Sequence, residues 1–67
     1  MILRFELERE TDGRWLGEVP DLSGVMTYGT SRDDAMARVQ ALALRLIAER
    51  LEHGEATPDL QISFQAA

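Results

Sequence analysis

Carboxylates are the side chains of this sequence whose number and spacing best suggest a chemistry. Glu6 and Glu8 alternate along the N-terminal segment, and Glu18 can lie near them across a hairpin. Two or three such groups can hold Mg²⁺, or they can dock a basic partner. They can also form a plain solvated strand face on which Arg4 and Arg14 serve as ion-pair partners. The sequence favours the last two interpretations, because the water-exposed face of a strand is normally filled with charges.

The residues that nucleophilic and metal chemistry need are scarce. A catalytic Ser, Cys or Lys needs an adjacent base, but the chain has no Cys and no Lys, and its single histidine, His53, follows a long helical pattern. We expect His53 to end that helix, where its charge suits the helix dipole, or to contact a partner. Gly24 and Gly29 match neither phosphate-loop pattern and are expected to be turn glycines. The sequence therefore predicts no enzyme, no metal site and no cofactor.

Size and charge narrow the possible partners. The 67 residues carry 7 basic and 12 acidic side chains, a formal charge of −5, whereas nucleic acids are bound mainly by Lys and Arg. Direct nucleic-acid binding is not expected. The N-terminus lacks the pattern of a signal peptide and no apolar run could span a bilayer, so we expect a cytoplasmic protein that does not bind membranes. A core this small contributes only about 3 to 5 kcal/mol of folding stability. Since the chain has no cysteine for disulfides, we expect self-association to provide the additional stability.

Hydrophobic periodicity predicts four strands and one helix within a single domain covering residues 1–67. The helix should start after Thr30 or Ser31 and end before Gly54. Asp12 and Gly13 predict a type I′ hairpin turn. A right-handed crossover from the helix places the last strand parallel to the first. The predicted fold is α+β, β-β-β-α-β, a mixed sheet of order 3-2-1-4 with one helix on one face; the predicted strands are 3–10, 15–19, 25–28 and 60–64, and the predicted helix is 32–53.

Each face of these elements has an expected role. Leu3, Phe5, Leu7, Ile62 and Phe64 should face the helix, which leaves the other face of the sheet open. The apolar stripe of the helix is wider than a sheet face covers, so Leu44, Ile47 and Leu51 are candidates for self-association into a dimer or tetramer. On the sheet, the candidate partner-binding residues are four acids and two aromatic anchors: Glu6, Glu8, Glu18, Asp21, Trp15 and Tyr28. The two aromatics can instead form a cross-strand pair.

The order of several short motifs resembles the HicB-like antitoxin family across nearly the whole chain. These are the Asp-Gly hairpin, residues 18–24 (Glu-Val-Pro-Asp-Leu-Ser-Gly), residues 28–30 (Tyr-Gly-Thr), residues 33–35 (Asp-Asp-Ala) at the helix start, and Gly54 and Pro58 before the last strand. Ser23, Val25 and Asp34 depart from the family pattern of Pro, Cys and Glu. The resemblance implies a partial RNase H-like fold without catalytic carboxylates.

The same resemblance implies a function. HicB-like proteins belong to bacterial type II toxin–antitoxin systems, in which they bind and inactivate HicA, a small basic ribonuclease that cleaves mRNA. The expected function is therefore an antitoxin-type protein-binding domain. The sequence ends just after the fourth predicted strand, so we expect no C-terminal DNA-binding domain in this chain. The alternative is a solitary homo-oligomeric HicB-like module without a toxin partner.

Overall fold

A four-stranded mixed sheet with one helix on one face is the architecture seen in a computed structural model, which describes residues 1–56 and 58–67. Its elements are β1 (Ile2–Arg9), β2 (Trp15–Glu18), β3 (Met26–Gly29), α1 (Arg32–Glu52) and β4 (Ser63–Ala66). Strand β4 runs parallel to β1, and the other neighbouring strands are antiparallel. The spatial order is β3-β2-β1-β4, which confirms the predicted α+β fold and its strand order.

Both ends of α1 lie where the capping residues predict. The Ser31 hydroxyl accepts a hydrogen bond from the Asp34 backbone N–H at 3.0 Å, which satisfies one free amide of the first turn. At the other end, Gly54 has φ +71° and its N–H donates to Leu51, while Glu55 N–H donates to Arg50. This is a Schellman arrangement with glycine in the left-handed position. The helix thus ends at Glu52 with His53 as its cap.

The predicted fourth strand is displaced along the chain. The alternation of residues 60–64 predicts a strand there, but β4 spans Ser63–Ala66. Leu60 and Ile62 pack against the core without pairing to β1, and the ladder begins where Ser63 N–H donates to the Met1 carbonyl at 3.0 Å. The alternation of apolar residues in 60–64 therefore indicates contact with the core. The start of β4 is decided by its pairing with β1.

The first hairpin does not use the predicted type I′ turn. Gly13 has φ +91°, whereas Asp12 has no positive φ. The Gly13 N–H donates to the Glu10 carbonyl, and the Glu10 N–H donates to the Arg14 carbonyl at 2.7 Å. This pattern closes a three-residue loop typical of a type I turn followed by a left-handed glycine. Three residues, instead of the two of a type I′ hairpin, lie between Glu10 and Arg14.

Gly29 is a close-packing glycine and not the predicted turn glycine. It lies at the end of β3 without a positive φ, and a Cβ built there would come within 2.4 Å of the Ala35 backbone nitrogen. A Cβ at Gly17 in β2 would lie 2.9 Å from the Ala35 carbonyl oxygen. These two glycines let the first turns of α1 lie directly on β2 and β3.

The core lies between α1 and the sheet. Val19, Leu22 and Val25 are buried although the connection between β2 and β3 is mostly loop, and Val19 N–H donates to the Val25 carbonyl at 2.9 Å. Ile47 is only 3% exposed. It therefore belongs to the core of the monomer, and its prediction as an exposed self-association residue is wrong. Across the described residues, α1 lacks a stretch long and apolar enough to cross a bilayer.

Candidate protein-binding face of the sheet

The side of the sheet turned away from α1 carries most of the predicted partner-binding residues. Successive side chains of a strand alternate between faces, and directly paired residues share a face. Leu3 and Phe5 of β1 are buried under the helix, so the even-numbered residues of β1 and their partners point outward. We call this side the open face; from its four strands it presents Ile2, Arg4, Glu6, Glu8, Leu16, Glu18, Met26, Tyr28, Ser63 and Gln65.

Two glutamates stand directly opposite each other at the centre of the open face. Glu6 of β1 pairs with Glu18 of β2. Glu8 is the next residue of β1 on the same face, and it lies opposite Leu16. Like charges in directly opposed positions repel. Within residues 1–56 and 58–67 the ion pairs are Arg14 with Asp12 and Arg38 with Asp34, so none of these three glutamates has an ion-pair partner there. The sequence thus places a local concentration of unneutralised negative charge on this face.

Arg14 does not neutralise those glutamates, which corrects the pairing considered from sequence. Its backbone N–H donates to Asp12 Oδ1 at 3.0 Å, and its Nε donates to Oδ2 at 2.7 Å. These bonds, the backbone bond foremost, hold the pKa of Asp12 below its usual value. The Arg14 guanidinium also lies 4.2 Å from the centre of the Tyr28 ring, an arrangement that fixes both groups at one edge of the open face.

Asp21 has a structural role beside the open face. Its Oδ2 accepts a hydrogen bond from the Arg4 backbone N–H at 3.0 Å. Pro20, where β2 would have continued, cannot extend a central ladder, and the aspartate supplies the acceptor that the missing strand would have given. Arg4 makes no ion pair within the described part of the chain. One oxygen of Asp21 therefore organises β1, which leaves this residue less free for a partner than the three glutamates.

Trp15 and Tyr28 lie on opposite faces of the sheet. The partners of Trp15 are Arg9 and Gly29, whereas Tyr28 pairs with Leu16. The suggestion that the two aromatics form a cross-strand pair is wrong, because their registers differ by one residue and a shift of one changes the face. Tyr28 is 44% exposed on the open face. Of the two predicted anchors, the structure brings only Tyr28 together with the glutamates.

The partner-binding residues predicted from the sequence did not include the apolar residues of the open face. Met26 pairs with Glu18 and is 49% exposed, and Ile2 is 57% exposed at the far end of β1. Leu16 lies half-buried between Glu8 and Tyr28. The alternation of β1 could have pointed to Ile2, but Met26 required the β2–β3 register. The open face therefore combines exposed apolar side chains with carboxylates.

A shallow cleft lies where β1 continues past the end of β4. It is lined by residues of β1, by Arg32 at the start of α1, and by the last two residues: Phe5, Glu6, Leu7, Glu8, Arg32, Ala66 and Ala67. Two of the three open-face glutamates thus also border a concave edge. In the part of the chain that the structure describes, no group of three or more His, Cys, Asp or Glu side chains is placed to hold a metal ion.

Comparisons of the chain with protein-family models, with curated proteins and with solved structures find no match.

Proposed function

We propose that this chain is an antitoxin-type binding domain, of the HicB-like kind with a partial RNase H-like fold. It would act in the cytoplasm by binding a small basic HicA-like ribonuclease and blocking its cleavage of mRNA. The observation that carries the proposal is the open-face charge: Glu6, Glu8 and Glu18 cluster there without an ion-pair partner among the described residues.

The energetics of this cluster favour a binding role over a structural one. Directly opposed like charges on neighbouring strands cost stability. The cost falls on a domain whose core supplies only about 3 to 5 kcal/mol. A basic partner would turn this repulsion into attraction, because complementary charge raises the rate of encounter and selects against wrong partners.

Apolar contacts beside the glutamates would supply the remaining affinity. Met26 and Tyr28 are about half exposed; Met26 lies opposite Glu18, and Leu16 lies between Tyr28 and Glu8. The stacked Arg14 restricts the Tyr28 ring, so less side-chain freedom is lost when a partner covers it. In this proposal Tyr28 is the aromatic anchor, and Trp15 lies outside the contact surface because it points to the opposite face.

The test is binding to the product of a short basic reading frame next to the gene of this protein. Co-expression should relieve the growth arrest that the toxin causes alone, and the purified pair should associate in calorimetry. Replacing both Glu6 and Glu18 with Gln should weaken binding at low salt by about tenfold or more, since a close charge pair across an interface is worth about 1.5 kcal/mol or more.

Glu55→Gln provides a control, because this exposed residue follows α1 and lies outside the open face. It removes one charge and should leave the affinity unchanged within about twofold. Equal losses of affinity per charge removed, from the control and from the Glu6 and Glu18 double variant, would attribute the effect to net charge and would refute the open face as the contact surface. A neighbouring basic protein that fails to bind would refute the proposal itself.

A second candidate function is a solitary self-associating module without a toxin. The observation that favours it is on α1, where Leu44 and Leu51 stay 44% and 38% exposed. Absence of a basic neighbouring reading frame, together with a concentration-dependent oligomer, would support this candidate over the antitoxin.

A further inference from the structure

The side of α1 that faces away from the sheet carries a second apolar stripe. Its members recur at alternating spacings of four and three, the heptad spacing that keeps one seam along a helix. The core-facing Ala35, Val39, Ala43 and Ile47 occupy nearly the opposite side of the helix. Leu44 and Leu51 are exposed, as are two of the three alanines, and the third is half-buried. The stripe consists of Ala37, Ala41, Leu44, Ala48 and Leu51.

The composition of the stripe suits a close helix–helix contact. Alanines let two helices approach closely, and a leucine fits best where the facing helix offers a small residue. In an antiparallel pair centred near residue 46, Leu44 faces Ala48 of the second copy, and Leu51 faces Ala41. Each copy thus offers a large residue to a small one at each of these layers. A parallel in-register pair would set leucine against leucine and leave the alanine layers loosely filled.

Charges on one flank of the stripe also select the antiparallel orientation. Arg38 and Arg45 lie in its N-terminal part, and Glu49 and Glu52 in its C-terminal part. An antiparallel pair sets Arg38 opposite Glu52 of the second copy, and by symmetry the reverse. A parallel pair would place this flank of the two copies on opposite sides of the contact, so that Arg38 would not meet Glu52, and it would align the two helix dipoles unfavourably. The Arg38 Nε donates to Asp34 Oδ2 at 3.1 Å, but the side chain is 60% exposed, so its guanidinium can also contact Glu52 of a second copy.

We propose that two copies of this chain associate through α1, antiparallel, about a two-fold axis near residue 46. The stripe is about 21 Å long at 1.5 Å per residue, so the contact is smaller than the roughly 800 Å² per partner of a standard interface. The dimer is therefore weak and concentration-dependent. It leaves the open face of the sheet uncovered, so that self-association and the binding of another protein use separate surfaces.

Sedimentation equilibrium with the full chain and its charge-swapped variants tests the pairing. Arg38→Glu brings two carboxylates together at both symmetric contacts with Glu52, and Glu52→Arg brings two guanidinium groups together at the same two contacts. Each variant alone should raise the dissociation constant about tenfold. An equimolar mixture of the two restores opposite-charge pairs at both contacts of each heterodimer, and it should associate more tightly than either variant alone.

Two further variants keep the result interpretable. Leu44→Glu retains a good helix former but places a charge in the centre of the stripe, and it should raise the dissociation constant by more than about tenfold. Met26→Glu changes an equally exposed apolar residue of the open face and should leave the dimer unchanged. Circular dichroism at low concentration checks that each variant is folded.

A mixture of the charge-swapped variants that fails to recover association would overturn the antiparallel pairing. Loss of association by Met26→Glu but not by Leu44→Glu would place self-association on the sheet, and an unsubstituted chain that stays monomeric over the whole concentration series would refute self-association altogether. Because binding of a basic ribonuclease is measured separately, any of these results leaves the proposed function open to its own test.

Discussion

Replacing Glu6 with Gln should make the free domain more stable while it weakens binding of a basic partner. Glu6 and Glu18 are directly opposed on β1 and β2, and neither has an ion-pair partner among residues 1–56 and 58–67. Glutamine keeps the length and polarity of the side chain and removes only its charge. A stability gain in the free protein would show that this carboxylate does not serve folding.

The size of the effect is worked from Coulomb's law. Two unit charges about 6 Å apart repel by roughly 0.7 kcal/mol in bulk water, which is similar in size to the roughly 0.2 to 1 kcal/mol that an opposite-charge pair contributes at such positions. We expect Glu6→Gln to raise the free energy of unfolding by about 0.5 kcal/mol. For a domain of this size that corresponds to a rise in Tm of about 2 to 4 °C.

A double-mutant cycle isolates the repulsion from other effects of the substitutions. Chemical denaturation would be measured for Glu6→Gln, Glu18→Gln and the double variant at low salt. Because either single change abolishes the repulsion, the double variant should gain less than the sum of the two. Glu55→Gln is the control, since it removes one charge from an exposed residue outside the open face.

Salt provides an independent check, because the Debye length falls to about 3 Å at 1 M salt. The gain from Glu6→Gln should then shrink toward zero. Additive effects at low salt, or a gain that persists at high salt, would refute the like-charge explanation. If Glu6→Gln destabilised the free domain, Glu6 would be a structural residue and the case for a docking surface would lose its energetic basis.

Three other predictions concern the start of α1 and its contact with the sheet. Gly29→Ala should destabilise the domain by about 3 kcal/mol, because the new Cβ would come within 2.4 Å of the Ala35 backbone; Gly13→Ala, in open space with φ +91°, should cost only about 1 to 2 kcal/mol in urea unfolding. Ser31→Ala should cost about 1 kcal/mol by the same measurement, since it removes the acceptor for Asp34 N–H. The pKa of Asp34 is held below its ordinary 3.8, first by the Thr30 backbone N–H and then by Arg38, so this stabilisation is present above that value and is lost as the pH falls through the lowered pKa. Thermal unfolding of Asp34→Asn should therefore show a smaller fall in Tm below about pH 4 than the unsubstituted chain; an equal fall in both would assign the acid sensitivity to other groups.

Local signals were sufficient for the order and type of the elements. The polar–apolar alternation of residues 3–10 indicates a strand, and Ser31 and Gly54 mark the two ends of the helix. These signals act on the neighbouring backbone, so they can be recognised without knowing the fold. Features that depend on a contact with another element were mispredicted. The start of β4 depends on its pairing with β1, and the tight contact of Gly29 depends on the position of α1.

For the candidate site, composition alone determined that the surface is acidic and that Cys and Lys chemistry is absent, because these are counts of side chains. Alternation placed Glu6 and Glu8 on one side of a strand. Only the tertiary structure decided that Glu18 stands opposite Glu6, that Trp15 points away from them, and that Ile47 lies in the core. The physical reason is register: a shift of one residue between strands reverses the face of every side chain. The register of β1 with β2 follows from the three-residue loop between Glu10 and Arg14, whereas the Asp-Gly pair in the sequence predicts a two-residue turn and a different register.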